Sequence, residues 1–403
     1  MKTVEIAPGI FWVGAVDWNV RNFHGHTYTT ERGTTYNAYL IVDDKITLVD
    51  TVHAPFAGEM MERISAIVPP DKISYVVANH VEKDHSGALP VVMEAAKGAR
   101  IFGTAKCGEG LSLYYRTEWD FHTVKTGDEL SLGGKTLQFI EAPMLHWPDS
   151  MFTYVKEEAL LMSNDAFGQH LASSARFDDG VDRAVLMSEA AKYYANILWG
   201  LSAPVGKKID EVAKSGMPVK AIAPSHGIIW RQSPSEIIKS YVNWAGNASR
   251  PKAVIAYETM WGSTEKMARA ILEGLSEASV TAQLYDINAT DRSDIMTEML
   301  DSRAFILGSS THDNGMLPNM AGFLHMLKGA KPKNRLCAAF GSYGWAGGAV
   351  REIEDMFKEC ALAMPLGSVS VKYAPGPDDL EACRRLGREL GHKLTKGGNN
   401  GQI

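Results

Sequence analysis

The chain has 403 residues, of which 45% are hydrophobic and 22% charged, with a net charge of −6 and four cysteines. This length exceeds a single core and calls for two domains, while no apolar run approaches the roughly 20 residues of a membrane span. Mild acidity without a basic, aromatic-interleaved stretch excludes a nucleic-acid binder, and cysteines as far apart as Cys107, Cys337, Cys360 and Cys383 form neither a disulfide frame nor a C-x-x-C metal site.

The opening Met1-Lys2-Thr3-Val4-Glu5 lacks the apolar core of a secretory signal and points to the cytoplasm. Apolar runs at Ile10 to Val16, Thr35 to Val42 and Ile46 to Asp50 read as hairpin strands. Between them the polar stretch Arg21 to Thr35 carries His24 and His26 around Gly25. Met60 to Val68 has helical spacing and stops at Pro69-Pro70. The β-branched run Ile73 to Ala78 then reads as a buried strand leading directly into His80-x-Glu82-x-Asp84-His85, before a turn at Gly87. In a strand-end loop alternate residues share a side, so His80, Glu82 and Asp84 converge and His85 turns to a second metal; a helix would scatter the spacing. A charged surface loop is the alternative, and it leaves the concentration of ligand types unexplained.

The same grammar recurs downstream. A hairpin from Leu130 to Ile140 leads to His146, Met151 to Met162 leads to Asp165, and Val219 to Ala223 leads to His226. Each alone is an ordinary loop residue; their repetition at strand ends suggests one site. The helix from Glu189 to Leu198 carries Tyr193-Tyr194, most simply as core. An amphipathic helix, Pro234 to Trp244, precedes a linker-like stretch, Ala245 to Pro251, which divides the chain into domains 1–249 and 250–403.

In the second domain, strand and helix alternate as in a parallel doubly wound sheet. After the strand Ala253 to Tyr257, the loop Thr259, Met260, Trp261, Gly262, Ser263 and Thr264 enters a helix, whose N-terminal N–H groups and hydroxyls suit a phosphate. No lysine stands in the cradle, unlike a nucleoside-triphosphate loop. Strands Phe305 to Gly308 and Leu336 to Phe340 end in two further loops. Their candidate ring-binding residues are Ser309, Thr311, His312, Asn314 and Gly315, then Ser342, Tyr343, Gly344, Trp345 and Gly347. Ligands of open α/β sheets bind beyond such strand ends.

The His80 to His85 stretch resembles the metallo-β-lactamase superfamily signature H-x-H-x-D-H, with Glu82 replacing the second His. A hard carboxylate among imidazoles favours iron over zinc. The Thr259 to Thr264 loop looks like the flavodoxin phosphate loop, with Trp261 where many flavodoxins have threonine. Over essentially its whole length the chain resembles the flavodiiron proteins, or A-type flavoproteins, of the rubredoxin:oxygen oxidoreductase type. The resemblance implies an α+β metallo-β-lactamase-like αββα sandwich followed by an α/β flavodoxin-like doubly wound parallel sheet. It implies two non-haem irons and FMN, and reduction of dioxygen to water or nitric oxide to nitrous oxide. Because no further module follows Ile403, electrons are expected from a separate rubredoxin, and the working unit is expected to be a head-to-tail homodimer, itself able to pair into a tetramer. By resemblance, His80, Glu82 and His146 hold one iron, Asp84, His85 and His226 the other, and Asp165 bridges them. His24 and His26 are candidate pocket histidines able to donate protons to reduced oxygen species, with solvated loop histidines as the alternative; His26 is taken as the catalytic one and Tyr194 as the candidate hydroxyl near the metals. The competing readings are a metal-dependent hydrolase of the glyoxalase II type, which has no use for a flavin, and an electron carrier, which leaves the metal ligands unexplained.

Overall fold

The computed structural model describes residues 3–396, so Met1, Lys2 and the chain end at Ile403 lie outside the described residues. Two compact units form, one from the chain up to Tyr193 together with Ala203–Val242, the other from Tyr194–Ser202 together with the chain from Asn243 onward. The change-over therefore precedes the expected cut at 249/250. The reason is Asn247, which already belongs to the second unit: its Oδ1 accepts from Lys333 N at 3.1 Å and Trp199 Nε1 at 3.3 Å, and its carbonyl from Arg335 Nη1 at 3.0 Å.

The first unit is built on two sheets. One runs in the order Val4–Ala7, Ile10–Trp12, Tyr39–Ile41, Thr47–Val49, Tyr75–Val77, Arg100–Gly103, Phe121–Thr123, and the other Glu129–Ser131, Thr136–Glu141, Met151–Val155, Leu160–Asn164, Ala221–Pro224. Alternation decides which side chain meets which layer. Val77 joins Trp12, Phe139, Met151 and Met162 in the core between the sheets. Its neighbour Val76 turns the other way, onto Met60, Ile64, Leu89 and Val92 of the covering helices. Tyr75–Val77 is apolar throughout because it pairs in parallel with a strand on each side and is covered on both faces. The helix predicted over Met60 to Val68 spans Ala57–Ser65 and buries Met60 and Ile64 one turn apart.

The second unit has one parallel sheet in the order Thr281–Asp286, Arg250–Glu258, Ser302–His312, Leu336–Tyr343, Val369–Lys372. In chain order this is 2-1-3-4-5, the flavodoxin-like order. Ala253, Ile255 and Tyr257 pack under the helices Ser263–Glu277 and Pro377–Lys396, while Val254, Phe305 and Cys337 are buried on the opposite face. The two helices approach closely: a Cβ on Gly387 would lie 2.1 Å from the carbonyl oxygen of Ile271. All four cysteines are free thiols.

Candidate metal centre and cofactor pocket

The peptide that enters the first site is fixed before any ligand appears. Asp50 accepts from Asn79 N at 2.8 Å and from Asn79 Nδ2 at 2.9 Å, and Asn79 Oδ1 accepts from Thr153 Oγ1 at 2.7 Å. From there His80 and Val81 are irregular and Glu82 keeps an extended ψ of 146°, but Lys83–Ser86 is a helical turn, not the continuous loop expected from the spacing. The turn lets the adjacent residues Asp84 and His85 both face inward, which an extended segment forbids. Thr51 N and Oγ1 hold the carbonyl of His85 at 2.9 and 2.6 Å.

Seven side chains from four strand ends then converge in two groups, His80, Glu82, His146 with Asp165, and Asp84, His85 with His226. In the first, Glu82 Oε2 lies 3.3 Å from His80 Nε2 and 3.2 Å from His146 Nε2. In the second, Asp84 Oδ2 lies 3.2 Å from His226 Nε2, and Asp84 Oδ1 3.4 Å from His85 Nε2. Asp165 divides its oxygens between them: Oδ2 is 3.6 and 3.4 Å from His80 and His146, Oδ1 3.1 and 3.5 Å from His85 and His226.

These separations fit metal coordination. Donors held about 2.0–2.2 Å from a common ion at right angles stand about 3 Å apart. Among the described residues, His80 Nε2, His85 Nε2, Asp84 Oδ1 and Asp165 Oδ2 are buried without a hydrogen-bond partner, a costly condition unless a cation satisfies them. Burial opposes charge on the imidazoles, but the carboxylates outweigh it. Asp149 and Glu82 push His80 up to about 10, Asp165 and Glu82 push His146 to about 10, and Asp84 and Asp165 push His85 to about 9. Burial likewise opposes ionisation of Glu82, yet His146 and His80 bring it down to about 2, and Asp84 and Asp165 are held below the usual carboxylate range by the imidazoles around them. Without metal, protons fill the cationic role.

Side chains and carbonyls outside the cluster orient it. Asp149 lies 3.1 and 3.2 Å from His80 Nδ1 and accepts from Val81 N at 2.7 Å. His226 Nδ1 donates to the carbonyl of Thr35 at 2.7 Å, and Ser225 Oγ donates to Asp165 Oδ1 at 3.0 Å. With Nδ1–H so engaged, Nε2 presents its lone pair to the cluster.

Two sequence expectations change here. His24 and His26 are both exposed, but it is His24 that places Nε2 3.7 Å from Glu82 Oε1. Tyr194 belongs to the second unit: its hydroxyl pairs with Ser202 Oγ at 3.0 Å and its ring lies 5.2 Å from Trp244. Tyr193, about 100° away on a helix, faces the cluster, 6.1 Å from the His226 ring and 5.1 Å from His170. His170, unforeseen from sequence, is buried between Phe23, 4.2 Å away, and His226, 4.9 Å away, with Nδ1 2.7 Å from Thr34 Oγ1. Burial, then His226, holds it well below the usual imidazole range.

The second site is a cavity of about 780 Å³ beyond the strand ends of the parallel sheet. Of the expected residues, Met260, Trp261, Ser263, Thr311, His312, Asn314, Ser342, Tyr343, Gly344 and Trp345 line it. Thr259, Gly262 and Thr264 shape the loop from behind. Gly262 has φ 82°, a left-handed conformation suited to glycine, and its N–H donates to Thr259 Oγ1 at 3.1 Å. Buried Thr264 Oγ1 meets Ser310 Oγ at 2.9 Å and Ser342 Oγ at 3.0 Å, tying the start of the helix Ser263–Glu277 to two strand ends. Ser309 is a correction. Its hydroxyl turns into the fold, donating to the Ser310 carbonyl and accepting from Leu317 N, and Ser310 faces the cavity instead, because successive strand residues alternate. Gly315 and Gly347 are also off the lining: a Cβ on Gly315 would meet Glu352, and one on Gly347 the Tyr343 ring. Asp313, Ala346, Tyr373 and Ala374 complete the wall; the last two follow the edge strand Val369–Lys372, which the sequence reading did not identify. Trp261 and Trp345 stand 92% and 90% exposed at the rim, flat apolar surfaces fit to flank an aromatic ring.

Known proteins share this pairing of domains. Residues 34–227 match the model of the ODP family beta lactamase and residues 255–387 that of flavodoxin. A nitric oxide reductase of Moorella thermoacetica is 50% identical over 98% of this chain and 99% of its own length, and an anaerobic nitric oxide reductase flavorubredoxin of Aeromonas hydrophila 42% identical over 96% and 79%. Among solved structures, rubredoxin oxygen:oxidoreductase from Desulfovibrio gigas superposes with a TM-score of 0.97 at 38% identity, covering 99% of this chain and 100% of that one. The flavodiiron protein from Giardia intestinalis gives 0.94 at 36% identity, covering 98% and 97%. With a seven-donor cluster on a β-lactamase-like sandwich, a cofactor pocket on a flavodoxin sheet and this likeness along the full chain, the protein belongs to the flavodiiron family.

Proposed function

We propose that the chain is an oxidoreductase that reduces dioxygen to water, nitric oxide to nitrous oxide, or both, at a pair of irons supplied with electrons from rubredoxin through FMN. The observation that carries this reading is Asp165, whose two carboxylate oxygens face two separate donor groups. A donor set of imidazole and carboxylate without thiolate suits iron, and the carboxylate of Glu82 inside it argues against a water-activating zinc hydrolase. When bound, the irons supply a place to hold and reduce a diatomic gas, and FMN a store that takes up and releases electrons singly or in pairs.

The chain's own residues do the remaining work. His80, Glu82 and His146 would hold one metal and Asp84, His85 and His226 the other, with Asp165 offering one carboxylate oxygen to each group. Asp149 and the Thr35 carbonyl fix the His80 and His226 rings. Either reaction consumes protons as well as electrons. His24, with Nε2 beside Glu82 and part of its ring in solvent, replaces His26 as the group that hands them inward. Phe23, Tyr36 and Tyr193 form an aromatic wall about His226 that limits water at that end. In the flavodoxin unit the N–H groups at the start of Ser263–Glu277 would receive the FMN phosphate, and the cavity-lining Trp345 and Tyr343 would offer aromatic surface to its ring.

The donor and the assembly belong to the same proposal. The indoles of Trp261 and Trp345 at the rim support a homodimer arranged head to tail, in which a partner covers them. Among the described residues no helix is long and apolar enough to cross a membrane, and four free thiols agree with a reducing cytoplasm. The deciding experiment measures metal and flavin per chain, then mixes anaerobically reduced protein with dioxygen or nitric oxide in a stopped-flow device. Iron-dependent reoxidation by at least one gas is expected. Zinc in place of iron, or reoxidation by the gas that is no slower after iron is removed with FMN retained, refutes the reading.

A further inference from the structure

Behind the metal cluster, within the first unit, lies a second cavity of about 250 Å³. Its floor is fully buried and includes Leu145, Phe152, Ala166 and Val205. Two of these are covalent neighbours of cluster residues, Leu145 of His146 and Ala166 of Asp165. At the other end Val212 and Met217 are only half-buried, so the cavity runs from an apolar opening at the surface to the chain segments that carry His146 and Asp165. Polar groups in the wall are already engaged. The Tyr241 hydroxyl accepts from Phe167 N at 2.8 Å, and Lys208 Nζ pairs with Glu211 at 2.8 Å. A substrate with charge or hydrogen-bonding groups would need convergent polar partners here, and the wall has none to spare.

We propose that this cavity is a binding site for small apolar gas molecules, a reservoir and entry path that feeds the metal centre from behind; the proposal rests on the gas-reducing function argued above. An apolar gas partitions from water into such a space because water there would forfeit its hydrogen bonds, as in dry apolar cavities of about 150 Å³ that take up xenon. Solvent and protons then approach on the His24 side while the gas arrives through apolar packing.

Xenon is the probe. Crystals of the holoenzyme under xenon pressure are expected to show it in this cavity, and Val205→Phe, or Val212→Phe should the buried change fail to fold, is expected to exclude it. With iron and flavin content unchanged, the filled variants should lose severalfold in the second-order rate of reoxidation by dissolved gas, yet keep the wild-type rate with an outer-sphere oxidant such as ferricyanide. An empty cavity under xenon, or an unchanged gas rate in a variant whose crystal structure shows the space filled, overturns the proposal. Failure of the wild-type holoenzyme to consume either gas would instead strike the functional reading, and the xenon result separates the two.

Discussion

Asp149→Asn isolates what the residues around the cluster contribute, because the change is nearly isosteric and removes no proposed ligand. The carboxylate serves two donors at once, His80 Nδ1 at 3.1 Å and Val81 N at 2.7 Å, while the backbone at Asp149 is held separately by Thr104 Oγ1 at 2.9 Å. Oδ2 faces both donors and Oδ1 stands 3.2 Å from His80 Nδ1, so an asparagine whose oxygen keeps the place of Oδ2 turns its amide N–H2 against the His80 ring. One charge-assisted hydrogen bond is thereby lost, worth about 1.5–3 kcal/mol in this buried setting. The His80 ring also loses the partner that keeps Nε2 directed at the cluster. Loss of such an orienting partner typically weakens metal retention by about 10–100-fold, equivalent to ~1.4–2.7 kcal/mol. The assay is iron per chain against chelator concentration, run beside urea unfolding of the metal-free protein. Both curves should shift, and the chelator curve should shift even after correction for stability. Iron retention equal to wild type, with apo-protein stability lowered, would reduce Asp149 to a packing role and refute the argument.

Glu82→His replaces the anionic donor of the first group with neutral imidazole, and is expected to favour zinc over iron and abolish gas reduction while the fold persists; full activity at normal iron content would remove Glu82 from the ligand set. Thr264→Glu puts a carboxylate at the start of Ser263–Glu277 and breaks the hydroxyl contacts with Ser310 and Ser342, so flavin content should fall with iron retained; a yellow variant would exclude that loop from phosphate binding. Tyr193→Phe should change the rate of gas reduction at unchanged cofactor content, whereas Tyr194→Phe should cost about 1 kcal/mol of stability and leave the rate alone; the opposite pattern would return the role to Tyr194. A mixed dimer pairing an Asp84→Ala, His226→Ala chain with a Thr264→Glu chain should be active if flavin and irons communicate between subunits, and an inactive mixture with both remaining cofactors bound would exclude the head-to-tail arrangement.

The residues that were legible in the sequence are those whose chemistry admits few side-chain types. Histidine and carboxylate at four strand ends announced His80, His146, Asp165 and His226, and the doubly wound strand rhythm announced the second unit, whose strand order agrees. What misled was local phase. Glu82 to Ser86 was read as a loop, and only the helical turn explains how Asp84 and His85 both reach the cluster. Tyr193 and Tyr194 are neighbours in sequence, but the helix Arg183–Tyr193 changes to a wider turn over Tyr194–Leu198, and the chain passes from one compact unit to the other between them. Ser309 and Ser310 differ only in strand parity, which an irregular strand end does not declare in advance. The unrecognised residues form a different class. Asp149 acts on His80 from 69 positions away and Thr34 on His170 from 136, and no spacing rule links such partners. In the case of His226 the orienting partner is the Thr35 carbonyl, a group every residue carries. A ligand must be one of a few side chains, so it leaves a mark in composition; an orienting acceptor needs only an oxygen in the right place, and its identity is written in the fold alone.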